Sequence, residues 1–415
     1  MQGVRSASCS PSWSRTSRAV VASKENIGTA RAAVPGPTSV RLKQITLSFL
    51  RLGTTAFGGP AAHIAMMEEE FVRRRAWVSH AEFLDMLGAS NLVPGPSSTE
   101  MAIHIGHQRA GWKGLVVAGV CFIVPAMLMV MAFACAYARF RSLPEIQAGL
   151  YGVKPVIIAV ILQAFWRLGR VALKDGFLMA LALAATIAAV GGVNVLAVLL
   201  TSGLIAMARV AVREGRLSGH AASLVALLPA GAALPAVIPI SLWGLFLVFL
   251  KFGAVIFGSG YVLLAFLQAD LVNRLHWLTQ SQLLDAVAVG QVTPGPVFTT
   301  ATFIGYLLGG IPGALVATVG IFFPGFLFVA ASRPLIPRIR NSTITGAFLD
   351  GANVGAVALM IAVTWQLGRA AIVDIPTAAI GALSAIALTA LRLNSVWLLG
   401  AGAFLGLAAQ RWLVA

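Results

Sequence analysis

Asn91-Leu-Val-Pro-Gly-Pro-Ser-Ser-Thr-Glu100 and Gln291-Val-Thr-Pro-Gly-Pro-Val-Phe-Thr-Thr300 stand two hundred residues apart, each inside an otherwise apolar stretch. A helix cannot run through Pro-Gly-Pro, because each proline lacks an N–H and its ring clashes with the preceding turn. Each motif should therefore break a membrane span into two half-helices. Broken backbone at membrane depth is tolerated only where protein or a water-filled cavity satisfies it. Pro96 and Pro296 suit the first turn of the second half-helix. The N–H groups that follow then point at the break, and a helix N-terminus attracts anions. This makes Pro94, Gly95, Pro96, Ser97, Ser98 and Thr99 candidate substrate ligands, with Pro294, Gly295, Pro296 and Thr299 their counterparts. The competing reading, a plain proline kink, leaves the polar flanks in both copies unexplained.

Working outward, the two stretches belong to a duplication. Phe49-Leu-Arg-Leu-Gly53 recurs as Phe249-Leu-Lys-Phe-Gly253, Trp77 as Trp277 and Asp85 as Asp285. One deletion later Gly111 matches Gly310, Pro125 matches Pro324, and Trp166-Arg-Leu-Gly-Arg170 matches Trp365-Gln-Leu-Gly-Arg369. The expected organisation is a disordered basic tail (1–40), a first repeat (41–212), a linker (213–240) and a second repeat (241–415). Each repeat reads as about six apolar segments. They fall near 45–67, 84–106, 112–137, 150–167, 176–192 and 194–212 in the first half, and near 241–267, 283–307, 310–332, 347–367, 374–391 and 395–412 in the second.

Composition places these segments in a bilayer. Of 415 residues 58% are hydrophobic and 11% charged, and the mean hydropathy is +0.87. A soluble chain could not hide that much apolar surface. The fold class is thus an all-α polytopic membrane protein. The net charge of +16 comes from basic residues in the loops between spans, a topology signal rather than a nucleic-acid surface. With the N-terminus placed in the cytoplasm, the first half gathers Arg109, Lys113, Arg167, Arg170, Lys174, Arg209, Arg213 and Arg216 on that side. Arg73, Arg74 and Arg75 dissent, with Arg139 and Arg141. The second half shows the opposite bias, so the repeats are expected to be inverted, with the linker as an extra crossing and about 13 helices in all. Glu68–Glu70 followed by Arg73–Arg75 reads as a solvated loop with internal ion pairs.

Charges within spans default to functional hypotheses. Arg51 and Lys251 hold one repeat position, and a cation pair facing a central cavity would attract a divalent oxyanion. Snorkelling to the interface competes with that reading. Lys154 opens the fourth span, where the second half has Asn353. Glu100 and His104, one helical turn apart, are candidates for a coupling proton, and Thr300 replaces Glu100 in the second copy. Gly58 and Gly59 of Phe57-Gly-Gly-Pro60 let backbones approach closely or expose amides to a substrate; helix packing explains them nearly as well. Asp85 and Asp285 read as helix caps. No nucleotide-binding, metal-ligand or nucleophile–base motif is present, so neither an enzyme nor a cofactor or metal is expected.

Taken together, Phe57-Gly-Gly-Pro60, Asn91–Glu100, Ala110-Gly-Trp-Lys-Gly114, Tyr151-Gly-Val-Lys-Pro155, Trp166–Arg170, Thr293-Pro-Gly-Pro296 and Gly305-Tyr306 resemble the long-chain, two-domain chromate ion transporters, from about Leu42 to the C-terminus. The resemblance implies a secondary transporter exporting chromate across the cell inner membrane, driven by the membrane potential or ion gradients, and so chromate resistance. The partners expected are chromate, with sulfate as a rival tetrahedral dianion, the lipid bilayer and a second copy of the chain, but no nucleic acid. A carrier of sulfate or another oxyanion and a passive anion channel are the alternatives.

Overall fold

The computed structural model describes residues 37–215, 240–257, 260–332, 342–391 and 393–414, with side chains up to 409. The N-terminal tail up to residue 36, most of the linker, Gly258-Ser259 and the arginines at 333, 338, 340 and 392 lie outside them. Among the described residues there is no strand. The first half forms α1 (Thr38–Thr55), α2 (Gly59–Glu68, prolonged by a π-helical turn at Glu69–Arg74), α3 (His80–Leu92), α4 (Ser97–Phe140), α5 (Pro144–Ala172), α6 (Gly176–Val190) and α7 (Val195–Arg213). The second repeats the plan. It has α8 (Leu242–Val255), α9 (Leu263–Phe266, with a π-helical extension Leu267–Arg274), α10 (Gln280–Val292), α11 (Thr300–Ser332), α12 (Thr343–Ala371), α13 (Ile375–Thr389) and α14 (Ser395–Val414). Long apolar helices able to cross a membrane lie at Ser97–Phe140, Pro144–Ala172, Val195–Arg213, Val297–Ala331 and Thr343–Ala371.

The duplication extends to backbone detail. Ala76 and His276 adopt positive φ of 48° and 53° at the same repeat position. The helices that follow open with matching capping boxes, Ser79 with Glu82 and Thr279 with Gln282. These are the caps, not Asp85 and Asp285, which lie within α3 and α10. A Ser or Thr hydroxyl reaches its N3 amide with a Glu or Gln returning the bond, so the helix begins five residues before the aspartate. Glu68–Glu70 and Arg73–Arg75 do form internal ion pairs, but on helical and π-helical backbone rather than in a loop.

All six apolar segments of each half are present, and the first two fold back on themselves. The Phe49 ring of α1 lies 4.9 Å from that of Phe71 after α2. At the other end of the same pair, His63 bonds the carbonyl of Ala56. The Gln108 amide donates to Glu82 at 3.3 Å, and the Arg109 guanidinium lies 5.0 Å from the Trp77 ring. The chain thus enters along α3, turns at Pro94-Gly-Pro96 and leaves along residues 97–109. It turns again at Gly111, φ 62°, and only then crosses through residues 112–140. Gly310, φ 61°, repeats that turn in α11.

The two hairpins of the second half come from the opposite face. Tyr137, near the far end of α4, bonds Asp285 at 2.7 Å and lies 5.2 Å from Phe303. The repeats are therefore inverted, and they interlock. Gly351 and Gly355 of α12 close on Ser202 and Leu199 of α7, and Gly152 of α5 lies against Gly402 and Gly406 of α14. Rising numbers on one helix meet falling numbers on the other, so both pairs are antiparallel. Small residues permit this backbone approach in a bilayer, where packing rather than hydrophobicity drives association. A Cβ at Gly152 would meet the Gly402 carbonyl. Gly152→Val is accordingly expected to lower the amount of folded protein in the membrane several-fold, by on the order of 1–3 kcal/mol of overpacking, as read by size exclusion of a fluorescent fusion.

Folding back also moves Arg73, Arg74 and Arg75 to the same face as Arg109, Lys113 and Lys174. Arg139, Arg141, Arg274 and Arg369 occupy the other. The dissent of the triple arginine came from counting a hairpin as a crossing. Glu214, just after α7, holds Thr343 on the first face, whereas Leu242 of α8 sits beside Gly309 on the second. The described ends flanking the linker are thus on opposite faces; the linker crossing itself lies outside the described residues.

Candidate functional site

The hairpin tips of both halves meet in the middle of the molecule. The Gly95 amide donates to the Ile256 carbonyl at 2.8 Å, and the Gly295 amide donates to the Ala56 carbonyl at 2.8 Å. Each Pro-Gly-Pro tip therefore docks on the break after the first helix of the other half. Gly95 and Gly295 take φ of 141° and 93°, and Gly58 and Gly59 take 102° and 78°, values that L side chains rarely adopt. Pro96 and Pro296 stand at the N-cap, one residue before the helical turns that follow.

Sequence symmetry hides an asymmetry here. In the second tip Pro294, Gly295, Pro296 and Thr299 are all buried, and Thr299 and Thr300 turn their hydroxyls onto the carbonyls of Pro296 and Val297. In the first, Pro94 and Ser97 are half-buried, Phe57 and Gly58 are exposed, and the buried Thr99 hydroxyl has no hydrogen-bond partner. Ser98 is buried beside it. Glu100 is 0% exposed, neither carboxyl oxygen has a partner, and its Oε1 lies against Gly95. His104 follows one turn later, half-buried.

Two tip residues escaped the sequence reading. His63, buried on α2, holds the Ala56 carbonyl at 3.1 Å through Nε2, beside the inter-repeat bond. Tyr261 of the second half lies over Gly59 and donates to Gln291 at 3.4 Å. Their repeat counterparts are Leu263 and Ala61, so comparing the halves could not flag them. The signal available was a lone imidazole and a lone phenol inside apolar segments.

The basic candidates are dispersed. Arg51, one turn before the first tip, is exposed to a cavity of about 360 Å³ shared with Ser48, Thr55, Glu69, Glu70 and Arg74. Lys251 is bound to Asp270 at 2.5 Å. Lys154 donates to Ser281 at 2.8 Å and lies 3.8 Å from Asp285, on the cavity that opens toward Arg141. Outside the membrane, the Leu178 amide, assisted by Arg209, holds the capping Asp175 below the ordinary carboxylate range. Among the described residues no three His, Cys, Asp or Glu side chains stand together as a metal site would need. Chemically the arrangement offers backbone amides at two helix starts and hydroxyls, a donor set for an anion, while the Arg51 guanidinium opens on a separate cavity.

Comparison with known proteins bears on that arrangement. Residues 43–207 and 243–407 each match the chromate transporter family. A chromate transport protein of Cupriavidus metallidurans is 33% identical, over 92% of this chain and 96% of its own length. A probable chromate transport protein of Synechococcus elongatus is 33% identical over 83% and 89%, and a chromate transport protein of Pseudomonas aeruginosa 32% identical over 84% and 86%. No solved structure matches the chain. With two family matches that coincide with two inverted repeats, the chain belongs to the chromate transporter family.

Proposed function

We propose that this chain is a secondary transporter that exports chromate across the inner membrane and so confers chromate resistance. The observation that carries the reading is the reciprocal bonding of the tips, Gly95 to Ile256 and Gly295 to Ala56, which brings two helix starts together between inverted repeats. Inverted repeats around a midplane site are a recurring transporter plan. Arg51, Ser97, Ser98 and Thr99 are the proposed ligands of the open tip, with Glu100 and His104 as the proton-coupling pair. Lys154 stands toward the opposite face.

The gathering of basic residues on one face marks it as cytoplasmic. An interior-negative potential favours outward movement of a bare dianion by about 4.6 kcal/mol per 100 mV, twice the value for one charge, and by about half that when one proton travels with it. Export of chromate therefore needs no nucleotide.

The test is uptake of labelled chromate into everted membrane vesicles, energised or not, with sulfate as competitor. Energy-dependent accumulation is expected, with Arg51→Ala lowering the initial rate on the order of tenfold, about 1.4 kcal/mol. Equilibration without accumulation would make the protein a channel. Saturable sulfate flux with no chromate flux would replace the substrate.

A further inference from the structure

The two halves carry the same charged triad in two different pairing states. Arg51, Glu70 and Arg74 of the first half occupy the repeat positions of Lys251, Asp270 and Arg274 in the second. Both triads are built alike, from a helix leading into a tip and the π-helical turn of the returning arm. In the second half Asp270, 5% exposed, bridges two cations: Lys251 Nζ at 2.5 Å on one oxygen and Arg274 Nε at 3.3 Å on the other. In the first half the equivalent carboxylate, Glu70, is drawn away by Arg75 at 2.6 Å, and Arg74 is taken by Glu69 at 3.1 Å. Arg75 and Glu69 correspond to Leu275 and Ala269, so the second half has neither alternative partner. Arg51 is left with no ion pair among the described residues.

Beside the closed triad lies a cavity of about 610 Å³, lined by Asp270 and Arg274 together with the amides of Gln268, Asn273, Gln366 and Asn194. An oxyanion dianion bonds well to what surrounds the Asp270 carboxylate: Arg274 and neutral amides on the cavity side, and Lys251 on its other oxygen. A carboxylate set between two cations occupies the position such an anion would take.

We propose that Lys251 and Arg274 form a second oxyanion site, on the face opposite the basic loops, where Asp270 serves as an internal counterion that the arriving or departing dianion displaces. The site rests on the oxyanion reading of the central tips. Asp270 keeps it weak, because substrate must compete with a tethered carboxylate, and a weak site on the exit face favours release.

Purified full-length protein in liposomes, with the half-saturating chromate concentration measured from each side, tests this. Asp270→Asn is expected to lower half-saturation on the second face about tenfold and to slow turnover, since both cations are then free to hold the anion. Arg274→Gln leaves the Lys251–Asp270 pair intact and is expected to raise half-saturation on that face several-fold. Glu68→Gln, on the first face and outside the Arg51 cavity, leaves the second-face value unchanged. If Asp270→Asn does not accumulate in the membrane, Arg274→Gln decides. Wild-type values in both variants, with chromate still transported, overturn the second site and leave the central reading standing. If the unmodified protein moves neither chromate nor sulfate, the central reading falls and takes the second site with it.

Discussion

Glu100→Gln is expected to leave the protein in the membrane at its normal level and to remove chromate accumulation driven by a pH gradient, a fall of at least tenfold. Glutamine keeps the shape of a neutral carboxyl and discards only its ability to exchange a proton. The side chain is fully buried, its Oε1 packed on Gly95, and neither oxygen has a partner. Isolated charge in such a place is costly, whereas the adjoining helix start favours a negative group. A dianion and a carboxylate cannot share the tip without a proton between them, which is how substrate and proton become linked. Liposomes with an imposed pH gradient give the measurement. Equilibrating exchange should persist within a few-fold. A variant that accumulates chromate with the normal response to the gradient would reduce Glu100 to a packing group.

Gly295→Ala carries the other large expectation, a loss of transport on the order of a hundredfold, about 2.7 kcal/mol. Three costs converge on one methyl. The residue sits at φ 93°, worth roughly 1–2 kcal/mol for an L side chain. The added Cβ would stand 2.6 Å from the Cβ of Ala126 and 3.2 Å from the Gly53 carbonyl. Both are backbone or its first carbon, so no rotamer relieves the clash. Relief requires the tip to withdraw, breaking the bond from the Gly295 amide to Ala56 at a further cost of about 1–3 kcal/mol if both groups stay dry. Gly95→Ala differs, since its Cβ meets the end of the Glu100 side chain, which can rotate. Its loss should be clearly smaller, and initial rates of chromate uptake at matched protein amount compare the two. Equal losses would mean that left-handed backbone, not the close approach, sets the effect.

Much of the plan was legible in the sequence because duplication writes every structural necessity twice. The breaks at Pro94–Pro96 and Pro294–Pro296, the number of apolar segments and the inversion of the halves all follow from paired residues or loop charges. The folding back of the first two segments did not follow. Residues 84–106 have the same hydropathy whether the chain continues past Pro-Gly-Pro or reverses, and only contacts such as Glu82 with Gln108 reveal the reversal. The pairing of Lys251 was hidden for a similar reason: Asp270 lies nineteen residues on, and only a hairpin brings it back. Of the proposed ligands, the sequence identified the tips through backbone chemistry. It could not show that the second tip is buried while the first is open, because that difference comes from packing and not from the motif.

The interlocking of the halves has a consequence for biosynthesis. Helices α5 and α7 are complete long before α14 and α12 leave the ribosome, yet those are the helices whose glycines they close upon. Until then the first half must wait in the bilayer with lipid against the faces it will later bury. Its own tip, with Gly95 awaiting the carbonyl of Ile256, has its partner only when the second half arrives. Neither half can therefore complete its own tip, and the first must hold an unpaired Gly95 amide until the second has been inserted.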